Sequence, residues 1–344
     1  MKCTAIFSLV GLAGVFTGGC HSPKKNVESG KEMKTQRDTQ SPKKQARAQQ
    51  RPARTVQKSK KLGLPEIWNS VDEIQTSCTV HLKKATALQE KILGVKTART
   101  EKNTLEPFNE LLRVVEQVQP LSELIANTHP KKAVRTAAEK CEQQAKAFGT
   151  ALMLNRELYD ALKAVDIKGL DTKAARFCKH LLRDYRRSGV DKDEATRKQL
   201  AELQKKMVKL GQEFSRNIRE DKKKMQVSEK DLVGLPPDFI KAKKKGKPAK
   251  AKITLTTDYP DFFPVQAYAK KARIRRQLYK LYLQRAYPAN EKILKQILTL
   301  RHQYATMLGY PDWAQYMAED KMVKNKKVVD DFIKKVAALA RPRT

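Results

Sequence analysis

The sequence predicts an all-α protein, an irregular multi-helix array with one short extended segment near residues 253–264. Three observations carry that prediction. Apolar residues recur at three- and four-residue steps through most of the chain, the spacing that lines one face of a helix. Proline and glycine interrupt these stripes at intervals that separate one helix from the next. No repeat of fixed period appears, which excludes a regular solenoid.

Taken in order, helical structure is expected from about residue 63. Pro65 suits a first helical turn, and Ile67, Trp68, Val71, Ile74, Cys78, Leu82, Ala85, Leu88 and Ile92 follow on one face. Similar stripes run through residues 105–125, 134–165 and 174–185, divided by His129-Pro130, Gly169 and Gly189. The next helix is expected to be capped by Asp191, with Glu194 three residues on in a capping-box arrangement. Its buried line is Leu200, Leu203, Met207, Leu210, Phe214 and Ile218, and it should run to about Lys224. Leu235-Pro236-Pro237 and the lysine-loaded 241–252 read as a solvated loop, and 253–257 as a strand. Pro260 and Pro264 should push Tyr259 and Phe263 toward extended backbone, making two turns. Helices are expected again at 265–286, 290–307, 311–319 and 328–339, with Gly309 as a left-handed cap.

The termini have a different composition. Lys2, the apolar run 5–16 and Thr17-Gly18-Gly19-Cys20 form a secretory signal, too short to span a bilayer as a mature helix. Its end resembles the lipobox of bacterial lipoproteins and makes Cys20 the expected lipidation site, an ordinary signal peptide being the alternative. Either reading predicts export, and the first a membrane-anchored lipoprotein of the cell envelope that faces the periplasm. Residues 21–62 hold 13 basic and 3 acidic side chains and almost no large apolar group, so a basic disordered tether is expected. Cys78, Cys141 and Cys178 lack the close spacing of a zinc cluster or a disulfide framework and are read as core residues on helix faces.

The 72 Lys and Arg against 37 Asp and Glu give a formal net charge of +35, which calls for an anionic partner without identifying one. The stretch 262–290 has no acidic residue and interleaves Lys270, Lys271, Arg273, Arg275, Arg276, Lys280 and Arg285 with Tyr268, Tyr279, Tyr282 and Tyr287. Rings among cations can stack on bases. Yet Ile274, Leu278, Leu281 and Tyr282 also form an apolar stripe, so this segment reads as scaffold and nucleic acid is not the expected partner. Glu213, Glu220 and Asp221 lie at helical spacing from Arg216 and Arg219, which favours solvated ion pairs over catalytic carboxylates. His180 and His302 read as ordinary helix-face histidines.

Several longer blocks carry a resemblance: NTLEPFNELL (103–112), RELYDALKAVD (156–166), RDYRRSGVDKDEATRKQLAELQKKMVKLGQEFSRNIRED (183–221), TTDYPDFFP (256–264) and RAYPANEKILKQILTLRHQYATMLGYPDWAQYMAEDKMVK (285–324). Together they resemble the thimet oligopeptidase family of zinc metallopeptidases. The resemblance implies helical halves facing each other across a narrow channel that admits only short peptides. Residues 63–344 would then be the N-terminal half. It also implies a zinc site built on His-Glu-x-x-His with a further downstream Glu.

The sequence departs from the family at that point. Its histidines, His21, His81, His129, His180 and His302, are followed by Ser22, Leu82, Pro130, Leu181 and Gln303, so none opens a His-Glu pair. No catalytic or metal-binding residue can be carried over. The expectation is a front half that binds no zinc itself, whose partners are short peptides and a separate catalytic C-terminal half. A non-catalytic envelope protein that binds peptides and a basic nucleic-acid-binding protein are the competing readings.

Overall fold

The computed structural model describes residues 68–246, 248 and 251–343. The secretory signal, Cys20, the tether and Pro65 lie outside the described residues. From Asn69 onward the described chain belongs to one structural unit. It is almost wholly helical, as the periodicity predicts.

Helix α1 (Val71–Leu93) opens at a capping box on Ser70. The Ser70 hydroxyl accepts from the Glu73 N–H at 3.1 Å and the Glu73 carboxylate accepts from the Ser70 N–H at 3.2 Å. A π-turn at Glu101–Leu105 leads into α2 (Glu106–Thr128). The expected stripe at 134–165 is two helices, α3 (Lys132–Met153) and α4 (Arg156–Lys163), because Asn155 leaves helical geometry and caps the second from the Leu158 N–H. Helix α5 (Thr172–Ser188) is capped by Asp171.

Helix α6 (Glu194–Glu220) is capped by Asp193, which accepts from the Thr196 N–H at 2.8 Å, and not by Asp191. Glu194 falls at the first helical position, too early to reach back as a capping box requires. The helix ends four residues before the expected Lys224, because the chain turns there into strand β1 (Lys224–Val227). That strand pairs antiparallel with β2 (Ile253–Thr256), Met225 opposite Leu255 and Val227 opposite Ile253. The second strand was expected, but its partner was not.

The supposed loop before β2 contains helix α7 (Pro237–Lys244), with Pro237 at the first position, where a missing N–H costs nothing. Helices α8 (Tyr259–Tyr268), α9 (Ala272–Leu283), α10 (Ala289–Met307), α11 (Trp313–Ala318) and α12 (Lys326–Ala340) complete the described chain. Gly309 closes α10 with φ +92°. The Tyr310 N–H donates back to the Ala305 carbonyl at 2.9 Å.

Helix α2 packs on α1 and α3, and α6 packs on α3 and α10. One core gathers Ile92, Phe108, Leu111, Leu158, Leu162 and Tyr185 from α1, α2, α4 and α5, with Leu152 of α3 and Leu105 of the π-turn. A second gathers one face of the small sheet, Met225, Val227, Ile253 and Leu255, with Leu232, Leu235, Phe262, Val265, Ile274 and Leu278. Cys78 of α1 and Cys141 of α3 are buried as expected, but they form a disulfide, with Cα atoms 5.9 Å apart across 63 residues of sequence. Their pairing depends on the packing of two helices and leaves no trace in local spacing. Cys178 is a buried free thiol whose pKa burial pushes up.

Across the chain, Arg187 of α5 clasps the start of the last helices. It donates to the Tyr316 carbonyl at 2.7 Å, pairs with the Glu319 carboxylate and lies over the Tyr316 ring. The Tyr310 hydroxyl, bonded to the same carboxylate, is pushed up to about 12, first by burial and then by Glu319.

Tyr185 provides a test of core energetics. Its side chain is fully buried beside the rings of Phe108 and Tyr159, and its hydroxyl has no hydrogen-bond partner among the described residues. An unsatisfied buried hydroxyl costs about 1–3 kcal/mol, so Tyr185→Phe should hold or raise the melting temperature, by about 2–4 °C per kcal/mol recovered. Thermal unfolding followed by circular dichroism measures this, and a fall would mean the hydroxyl is paired after all.

Candidate functional site

The described histidines do not converge. His81 Nδ1 lies 2.7 Å from the Ser77 carbonyl within its own helix, and His129 Nδ1 accepts from the Lys131 N–H at 3.2 Å. The His180 pKa is lowered, first by burial and then by Arg183 and Arg176, which keeps the ring neutral at pH 7. His302 is exposed on α10. Among the described residues no group of three or more His, Cys, Asp or Glu could hold a metal ion. The donors present therefore do not fit a tetrahedral zinc site, which needs three or four ligands around one point.

The carboxylates near Arg216 and Arg219 form a different arrangement from the same-helix pairs expected. Both arginines cross to Glu139 of α3, at 2.9 and 3.2 Å. Gln212 donates to Glu142 at 2.7 Å, and Lys146 pairs with that same carboxylate at 2.5 Å. Asp221 accepts the Ala286 N–H at 2.8 Å and pairs with Lys223 at 2.9 Å. These groups lock α3 to α6 and tie the end of α6 to the link between α9 and α10, and every charge is committed to a partner. Glu213 is exposed and takes no part.

The stretch TTDYPDFFP builds the most distinctive surface. Its two prolines sit within α8, contrary to the turns expected. Pro260 occupies the first turn, where its ring is tolerated, and only Pro264 removes an interior hydrogen bond. Asp261 organises the junction: its buried carboxylate accepts from the Thr256 N–H at 2.8 Å and the Thr256 hydroxyl at 2.9 Å, and pairs with Lys243 of α7. The end of β2, the start of α8 and the end of α7 thus share one anion.

This junction sets Phe262 against α9. Its ring stacks on Tyr282 with centroids 3.9 Å apart and planes 18° apart, and it lies 6.4 Å from Tyr279. Phe263 is 5.1 Å from Tyr259, which is 6.4 Å from Tyr282. The Arg285 guanidinium lies 4.1 Å from the centre of the Tyr282 ring. Burial, and then a hydrogen bond with Tyr259, raises the Tyr282 hydroxyl pKa. Phe262 is 6% exposed and forms the floor, whereas Tyr259, Phe263 and Tyr279 are 58%, 57% and 49% exposed. The result is an aromatic shelf facing solvent.

The acid-free composition of 262–290 was visible in the sequence, but the role of Tyr259 and the stacking of Phe262 on Tyr282 were not. The available signal was the three-residue link between α8 and α9, which makes the two ring-bearing helices neighbours.

Comparison with known proteins completes the picture. Residues 265–344 match the model of peptidase family M3, covering α9 to α12. The chain is 26% identical over 262 residues to a thimet-like oligopeptidase of Dictyostelium discoideum, covering 74% of this chain and 39% of that protein. It is 28% identical over 247 residues to saccharolysin of Saccharomyces cerevisiae, covering 67% and 34%. With oligopeptidase A of Escherichia coli the identity is 26% over 274 residues, covering 74% and 40%. The chain therefore spans two fifths or less of the length of these relatives.

The relatives also correct the expected location. Those whose names carry a compartment are cytosolic, mitochondrial, or chloroplastic and mitochondrial, not envelope lipoproteins. The envelope reading rested on twenty residues of composition, whereas these matches extend over most of the helical chain. No described helix is long and apolar enough to cross a membrane. The family-model match over residues 265–344 and relatives at 26–28% identity make this chain similar to the thimet oligopeptidases of peptidase family M3.

Proposed function

We propose that this chain handles short peptides for hydrolysis, as the helical part of a zinc-dependent M3 peptidase whose metal is held by residues outside these 344. The observation that carries the reading is the similarity to several oligopeptidases over 67–74% of the chain. No histidine of the sequence is followed by a glutamate, which supports a metal site built from other residues that bear the His-Glu-x-x-His helix. Residues 63–344 act in this reading as one module, which admits peptides and holds them.

The test is a fluorogenic oligopeptide incubated with the purified chain, with and without zinc. The expected result is saturable binding, read by anisotropy, with no cleavage in either condition. Cleavage by the chain alone would overturn the assignment of the metal to other residues, and no binding of any oligopeptide would overturn the role in handling peptides. A purely non-catalytic peptide binder is the second reading, favoured by the histidine spacing. Zinc-dependent cleavage on adding the catalytic portion of an M3 peptidase would exclude it.

A further inference from the structure

We propose that the aromatic shelf on α8 and α9 is a docking surface for acidic peptides with aromatic side chains. The inference rests on the peptide-handling role and adds a preference for one class of peptide.

Three features of the shelf support it. Tyr259, Phe263 and Tyr279 are about half exposed, although each has a ring neighbour within 6.4 Å that orients it. Large rings held open to water in this way lose little conformational freedom on binding and can pack offset or edge-on against another aromatic group. A scattered exposed aromatic would need no explanation, but a cluster built on a buried stacked floor makes a patch of the kind that marks interaction surfaces.

The second feature is charge. Arg276 and Lys280 are exposed on α9, three residues before and one residue after Tyr279, and neither has an ion-pair partner among the described residues. The nearby acids are already engaged. Asp258 pairs with Lys222 at 2.8 Å, and Asp261 is buried against Lys243. With no acidic residue from 262 to 290, the field over the shelf is positive. A positive rim around an apolar centre selects a ligand of the opposite arrangement, carboxylates flanking an apolar or aromatic side chain.

The third feature is Arg285, already bound over the face of Tyr282. That contact takes up the inner ring of the shelf and leaves the three outer rings as the available faces. A single-stranded nucleic acid would also find rings and cations here. The peptide is favoured because the relatives of this chain are named as peptidases. The nucleic acid becomes an outcome of the test.

The experiment uses the 344-residue chain and a fluorescein-labelled Gly-Glu-Phe-Glu-Tyr-Glu-Gly peptide, with a control in which lysine replaces each glutamate and an oligothymidylate of matched length. The acidic peptide should bind about tenfold tighter than the lysine control, the ratio that 1.4 kcal/mol of discrimination produces. The double variant Arg276→Glu/Lys280→Glu should abolish or reverse that ratio, and Phe263→Ala/Tyr279→Ala should weaken binding of the acidic peptide about tenfold. All four positions are exposed, and an unchanged far-ultraviolet circular dichroism spectrum and melting curve establish that each variant is folded.

Equal affinity for both peptides, or variants that bind the acidic peptide as the parent does, would overturn the shelf while leaving peptide handling intact. Displacement of the peptide by oligothymidylate at lower concentration than by unlabelled peptide would also overturn it, in favour of nucleic acid. Failure of every oligopeptide to bind would remove both readings.

Discussion

The double variant Cys78→Ala/Cys141→Ala should lose about 4 kcal/mol of stability, the chain-entropy value for a cross-link that closes a loop of 63 residues. The bond ties α1 to α3, the two helices that flank α2. Without it the unfolded chain regains the freedom of the segment between them, while the folded helices stay packed through Ile92, Phe108 and Leu111. Guanidinium unfolding measures the difference as a lower midpoint, with a steeper slope because the uncrosslinked unfolded chain exposes more surface. Wild-type protein in strong reductant should fall to the same midpoint. If reductant and variant both leave the midpoint unchanged, the two sulfurs are not bonded in solution.

Gly234→Ala should be comparably damaging, by about 3–4 kcal/mol, for a different reason. Gly234 has φ +98°, a region costly to any residue with a Cβ, and that Cβ would stand 2.3 Å from the Tyr268 carbonyl oxygen and 3.1 Å from the Lys270 nitrogen. Both neighbours are backbone, one in the last residue of α8 and one in the link that follows it, so neither can rotate away. The Val233 carbonyl accepts from the Lys270 N–H at 2.9 Å, which fixes how closely the two segments approach. The variant must separate them and with them the second core. Urea denaturation gives the magnitude, and a loss under about 1 kcal/mol would show that the turn relaxes without disturbing α8.

The fold class could be read from the sequence because long helices bury regular stripes, as Leu200 and Met207 do on α6. Features set by distant partners could not. Strand β1 is four residues that follow a long helix, and only Ile253 to Thr256, some 29 residues later, gives its N–H and C=O groups somewhere to bond. The disulfide depends on α1 meeting α3. In TTDYPDFFP tertiary packing overrides a local backbone preference. A residue before proline does tend toward extended backbone, but the Asp261 junction and the burial of Phe262 against Tyr282 hold 259–268 helical. The cations of the shelf were plain in the composition, whereas its rings depend on which helix faces which. The metal question turned on the order of residues, since no His-Glu pair exists to be brought together.

The clasp made by Arg187 has a consequence for synthesis. Its acceptors, the Tyr316 carbonyl and Glu319, lie 129 and 132 positions downstream, among the longest sequence separations spanned by any side-chain hydrogen bond in the described chain. A polypeptide leaving the ribosome holds that guanidinium without its final partners until more than a hundred further residues have been added. Contacts of such range form late and slow the search for the native state. Translational pausing before residue 319 would therefore leave α5 with one unclosed edge, where a chaperone could bind.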